Sequence, residues 1–328
     1  MIPKYSKSVA LAWLLTLAMA SAGNGANRVT VERFETNPLI AAASSPTLGN
    51  KINGPSVIQV PDWVKEPLGK YYLYFAHHKG KFIRLAYGDS IEGPWRIYEP
   101  GTIRLKEATP LEDHIASPDV HVDEEHQVIR MYFHGSHPGT NQRTVSAVSD
   151  DGISFEVFET VHGFSYFRVF QYEGVYYAVD SSGLLNRSEY PDHGWGRREE
   201  LLIGPVSTSD VFGERDDVRM RHPAVYVRGD TLYLFYSRKS DAPERILMAT
   251  VALQGGWDAW KASPPIEILR PEMDYEGVDY PNEPSGKGGA VGVQELRDPY
   301  VFEEDGQLYL FYSVAGEEGI AGARLKID

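Results

Sequence analysis

The side chains able to do chemistry in this 328-residue sequence gather around one recurring motif. Four apolar stretches are led by proline: Pro55-Ser-Val-Ile, Pro118-Asp-Val-His, Pro223-Ala-Val-Tyr and Pro299-Tyr-Val-Phe; Phe167-Arg-Val-Phe is a looser fifth. Immediately ahead of them stand Gly54, Ser117, Tyr166, His222 and Asp298. One place earlier are Asn53, Ala116, Ser165, Arg221 and Arg297, and just after the leading residue come Ser56, Asp119, Arg168, Ala224 and Tyr300. An aromatic stretch follows each motif and ends in further polar groups: Ala76-His77, His134-Gly135, Asp180-Ser181, Ser237-Arg238 and Ser313.

Asp119 and Asp298 are the carboxylates best placed to act as a general acid and base, with Asp180 third. His222 is an alternative proton donor, because an imidazole titrates near neutrality. Arg168, Arg221, Arg238 and Arg297 carry planar forks that suit a carboxylate or sulfate, and that equally suit neutralising a neighbouring Asp or Glu. Asn53, His77 and His134 complete the set expected to bind substrate. The closest histidine spacings are His77-His78 and His134 with His137; hydrogen bonding is the default role for each, and no metal or cofactor is predicted.

The elements that must hold these groups are strands. The second stretch of each repeat is aromatic and branched: Tyr71-Tyr-Leu-Tyr-Phe, Ile129-Arg-Met-Tyr-Phe, Val175-Tyr-Tyr-Ala-Val, Leu232-Tyr-Leu-Phe-Tyr and Leu308-Tyr-Leu-Phe-Tyr. Such residues fit pleated, half-buried strands. Turn signals such as Arg228-Gly-Asp and Glu304-Asp-Gly join the first strand to the second. A third strand follows in all five copies, and a fourth in the first four. The last copy stops at Asp328 without one, and Arg28-Val-Thr-Val-Glu-Arg-Phe can fill that place. The fold expected is all-β, a five-bladed β-propeller whose last blade is closed by an N-terminal strand, in one domain over residues 23–328.

Composition narrows the function. Lys and Arg number 32 against 46 Asp and Glu, a net charge of −14, and no basic run is present, which argues against nucleic-acid or anionic-membrane partners. Cysteine is absent, which removes disulfides and thiolate chemistry together. Lys4 and Lys7 precede an apolar run over residues 9–20, and Ala20-Ser-Ala22 offers small residues for cleavage. Residues 1–22 therefore read as a secretory signal peptide, too short for a membrane anchor, and a cysteine-free exported chain reads as a bacterial periplasmic or secreted monomer.

The proline-led first strand, the aromatic second strand and third strands ending as in Ser149-Asp-Asp-Gly152 resemble the five-bladed propeller glycoside hydrolases. These include the arabinanases and β-xylosidases of glycoside hydrolase family 43, the invertases and the anhydrogalactosidases. The likeness runs from about residue 36 to the end. It implies an exported hydrolase of polysaccharide-derived oligosaccharides, working by acid/base catalysis at one mouth of the central tunnel. The departures matter as much. Family 43 places an Asp base ahead of the first proline, where this chain has Gly54, and a Glu acid ahead of a later one, where it has His222. Only Asp298 keeps an acid at such a place. The catalytic set expected is therefore Asp119, His222 and Asp298. A sugar-binding propeller without catalysis, and a lyase using a His or Tyr base, remain open alternatives.

Overall fold

The structure is a computed structural model and describes residues 28–203, 220–286 and 288–328; the expected signal segment lies outside these. The described chain forms five antiparallel sheets arranged as a five-bladed propeller. From the axis outwards, blade 1 runs Asn53–Gln59, Tyr71–Ala76, Arg84–Gly88 and Arg96–Tyr98. Blade 2 runs Glu112–Asp123, Val128–Ser136, Gln142–Ser149 and Glu156–Val157, and blade 3 runs Arg168–Tyr172, Val175–Val179, Leu184–Ser188 and Gly196–Leu201. Blade 4 runs Met220–Arg228, Thr231–Arg238, Ile246–Ala252 and Ile266–Leu269.

Blade 5 has three strands from the end of the chain, Arg297–Glu304, Gln307–Val314 and Gly319–Ile327. Its outer strand is Val29–Arg33, antiparallel to the C-terminal strand from Val29 opposite Ile327 to Arg33 opposite Ala323. The closure expected from the missing fourth strand is what forms. Arg33 fastens it, since its Nε donates to Glu276 Oε1 at 2.8 Å and its guanidinium also bonds the Arg270 carbonyl at 2.9 Å.

Each blade packs its neighbours on both faces, so the second strands are largely apolar; all six residues of Tyr71–Ala76 are buried. Five apolar clusters result, one between each pair of adjacent blades. That between blades 2 and 3 is the thinnest, built on Tyr132, Phe167, Val169 and Ala178 with Trp195 against it. Trp260 is buried in the cluster between blades 3 and 4.

Candidate active site

The residue ahead of each leading residue turns the backbone. Gly54, Ser117, Tyr166, His222 and Asp298 all have positive φ, at 62°, 50°, 55°, 52° and 46°. The pairing register slips at the same places, between Asn53 and Ser56, Ala116 and Asp119, Arg221 and Ala224, and Arg297 and Tyr300. A left-handed backbone costs a residue with a β-carbon about 1–2 kcal/mol, and four such residues share one mouth. The kink turns this ring of side chains toward the tunnel axis. Blade 1 contributes none: a β-carbon at Gly54 would stand 3.1 Å from Ser117 Cα. A side chain there would press on the neighbouring blade.

Just beneath, Ser56, Asp119, Arg168, Ala224 and Tyr300 form a second ring that ties the blades across the axis. Arg168 is 1% exposed; its Nε donates to the Pro223 carbonyl at 3.0 Å and its Nη1 to the Pro118 carbonyl at 2.7 Å. Asp119 Oδ2 accepts from Val169 N and from His121 Nε2, both at 2.8 Å. Burial works against the Asp119 charge, but His121, Arg168 and the Val169 amide hold its carboxyl below the usual range. Tyr300 Oη donates to the Val57 carbonyl at 3.2 Å. Two cavities of about 550 and 210 Å³ lie on the far side, lined by Tyr300, Asp119 and Arg168 among others and by no residue of the upper ring. Asp119 and Arg168 thus belong to the floor of the mouth.

The upper ring assembles the chemistry. His222 Nε2 lies 3.6 Å from Asp298 Oδ1. Ser237 Oγ donates to Glu244 Oε1 at 2.6 Å, so His222 Nδ1, 3.3 Å from the same hydroxyl, is the donor in that contact. This tautomer leaves the Nε2 lone pair facing Asp298, where it also accepts from Arg221 Nε at 3.4 Å. Burial, followed by Arg221 and Arg297, pushes His222 well below its ordinary value, so the ring is neutral near pH 7. Its face meets Tyr166, whose ring centroid is 4.8 Å away, and His134 packs on Tyr166 at the same distance. Burial and then Asp298 raise the Tyr166 phenol, keeping it protonated.

Asp298 Oδ2 accepts from Ser313 Oγ at 3.1 Å, while Oδ1 is buried without a hydrogen-bond partner. Burial and the neighbouring Glu317 push its carboxyl up to about 6, against the opposing pull of Arg297 and Arg221. Glu317 goes the other way: burial works against its charge, but His78, Arg297 and Asn53 hold it below the usual range. Arg297 is fully enclosed, with Nε 3.2 Å from Glu244 Oε2, Nη1 3.7 Å from Glu317 Oε1, and Nη2 paired with Glu295.

The expected residues divide accordingly. Asp298, His222, Arg221, Asn53 and His134 share the mouth. Arg297 is there as a counter-ion among three glutamates. His77 is half-buried at the end of the second strand of blade 1, its Nδ1 on the His78 carbonyl at 2.5 Å. Asp180 caps its own hairpin, Oδ1 accepting from Ser182 N at 2.8 Å and from Leu184 N at 3.3 Å. Arg238 is buried at the end of its strand, where its carbonyl accepts from Ser285 Oγ at 3.3 Å. Glu244, Glu295 and Glu317 were not expected: Glu244 and Glu317 stand in the loops that lead into the third strands of blades 4 and 5, and Glu295 stands two residues ahead of Arg297. Among the described residues no three His, Asp or Glu converge as metal ligands.

No family model matches the chain. An uncharacterized protein of Acanthamoeba polyphaga mimivirus is 39% identical to it over 326 residues, covering 90% of each chain. The chain belongs to that protein's family. Solved structures similar to this family member share its fold at low identity. One is a family-43 β-xylosidase/α-arabinofuranosidase from a compost microbial metagenome, at TM-score 0.59 and 13% identity over 91% of this chain and 95% of that one. Another is a family-43 enzyme of Xanthomonas citri, at 0.57 and 14% over 85% and 88%. A third, at 0.64 and 13% over 93% and 96%, comes from family 130, described as mannoside phosphorylases containing glycoside hydrolases that target β-1,2 mannosidic linkages in Candida mannan. All share the propeller.

Proposed function

We propose that this protein is a glycoside hydrolase that cleaves polysaccharide-derived oligosaccharides at the tunnel mouth, after export to the periplasm or beyond. The observation that carries the reading is the divergence of two neighbouring carboxyls: Asp298 is pushed up to about 6 while Glu317 is held below the usual range. Environments that separate two acids in this way assign the proton donor and the base. Asp298 gives its proton to the leaving glycosidic oxygen through the unpartnered Oδ1. Glu317, ionised, takes the proton of the attacking water; the C–O bond breaks as the water oxygen bonds to the anomeric carbon. His222, whose Nε2 is engaged by Arg221, and Tyr166 supply a wall of the site. Asp119, expected from the sequence as a member of the pair, supports the floor instead.

A lyase with Tyr166 as base fits less well, because burial holds that phenol protonated. The test is turnover on a panel of plant and algal oligosaccharides, with products read by NMR. Asp298→Asn and Glu317→Gln should each lower kcat by about a hundredfold or more while the fold persists. Full turnover by both variants defeats the assignment, and an unsaturated product would establish elimination.

A further inference from the structure

Phe164 lies two residues before Tyr166, on the segment that enters the inner strand of blade 3. Two guanidinium groups lie over its ring, Arg143 at 4.8 Å and Arg197 at 4.7 Å from the centroid. Arg143 is on the third strand of blade 2 opposite Gly135, the residue after His134. Arg197 is on the outer strand of blade 3, opposite Asn186. Both therefore stand on the rim beside the His134–Tyr166–His222 stack.

Their surroundings are unusual for this chain. It carries 46 acidic residues to 32 basic ones, yet among the described residues neither arginine has a carboxylate within ion-pair distance. Arg143 Nη1 donates to the carbonyl of its neighbour Gln142 at 3.0 Å. Arg197 also acts at longer range on the buried Asp180, whose oxygens already accept from the hairpin amides and Asn186. Stacking on an aromatic face fixes the plane of a guanidinium and leaves its edge donors free. Two like charges gathered on one ring repel until an anion arrives between or beside them. Of the four arginines expected for this role, Arg168 and Arg297 are enclosed by internal partners, and Arg221 leans on Glu244.

We propose that Arg143 and Arg197, oriented by Phe164, form a subsite for a carboxylate or sulfate group carried by the saccharide. The proposal rests on the mouth being the saccharide site and specifies its substrate class: an anionic oligosaccharide whose charged group sits on the blade 2–blade 3 rim.

The experiment measures binding to the full chain carrying Asp298→Asn, by titration calorimetry, with a panel of neutral, uronic-acid and sulfated oligosaccharides matched in backbone. Anionic members should bind at least tenfold more tightly than their neutral counterparts at low salt, with the preference shrinking at high salt. Arg143→Gln and Arg197→Gln should each reduce that preference, and Phe164→Leu should weaken it, with melting temperatures unchanged. Neutral members binding best, or a preference that survives both arginine changes, overturns the proposal. A further arm adds inorganic phosphate: if phosphate displaces the anionic sugar and also accelerates turnover of neutral oligosaccharides by the unmodified protein, the anion is a free co-substrate and the sugar-borne assignment falls. Turnover retained by Asp298→Asn defeats the catalytic reading alone, because the charge preference is read from binding.

Discussion

Asp298→Asn should stabilise the protein at alkaline pH while lowering the proposed activity. Asp298 is 2% exposed and its carboxyl is pushed from 3.8 up to about 6, chiefly by burial. Below pH 4 the folded and unfolded chains both keep the proton, and the residue contributes no pH dependence. Between pH 4 and 6 the unfolded chain ionises while the folded one does not, so stability falls as pH rises. Above pH 6 both are ionised and the deficit levels off. At about 1.4 kcal/mol per pH unit, the gap amounts to roughly 3 kcal/mol, with little loss to solvent screening at this depth. Asparagine has the same outline, keeps an acceptor for Ser313 and carries no charge. Urea unfolding of parent and variant at pH 4 and pH 8 isolates the effect: the variant should gain about 3 kcal/mol relative to the parent on going from the lower to the higher pH. An unchanged difference would show that Asp298 ionises normally, and the acid assignment would fall with it.

Other outcomes follow from the same geometry. With Asp298 as proton donor, kcat/KM should decline above pH 6 on a substrate the enzyme turns over; a rise through that range would make Asp298 the base. A chain beginning at residue 36 loses the pairing of Val29–Arg33 with the C-terminal strand and the Arg33–Glu276 bond, so it should melt lower and aggregate through the bared edge, which light scattering during a melt would detect. Arg297→Met leaves Glu244, Glu295 and Glu317 without their shared counter-ion and should cost about 3–5 kcal/mol at pH 8, less at pH 4 where the glutamates can take protons, as read by denaturant unfolding.

The propeller was legible because its repeat is printed in residue types: a proline-led strand, an aromatic strand and a missing fourth strand with a candidate to replace it. Position on the upper ring was legible for the same reason, and it located His222 and Asp298. What the repeat does not encode is the direction in which the next residue points. Asp119 follows its proline as Asp298 precedes one, and the backbone kink between these two places sends them to different levels of the tunnel. Glu317 and Glu244 were missed because hairpin loops vary in length and composition, so no column of the repeat contains them. Arg297 looked like a substrate fork, but its near neighbour Glu295 and the more distant Glu244 and Glu317 surround it.

The cross-blade floor has a consequence for traffic. Arg168 and Tyr300 bind carbonyls of other blades, so bulky side chains held from both ends lie in the way of a polysaccharide chain passing from one face of the ring to the other. The hole of this propeller is a cul-de-sac. A polymer cannot be drawn through it and processed link by link as a thread; whatever reaches Asp298 enters and departs by one door, and leaving requires backing out. On the function proposed above, occupancy would then set the order of events: the part of a sugar lodged against the floor would be the last to go, and would block the next arrival until it did.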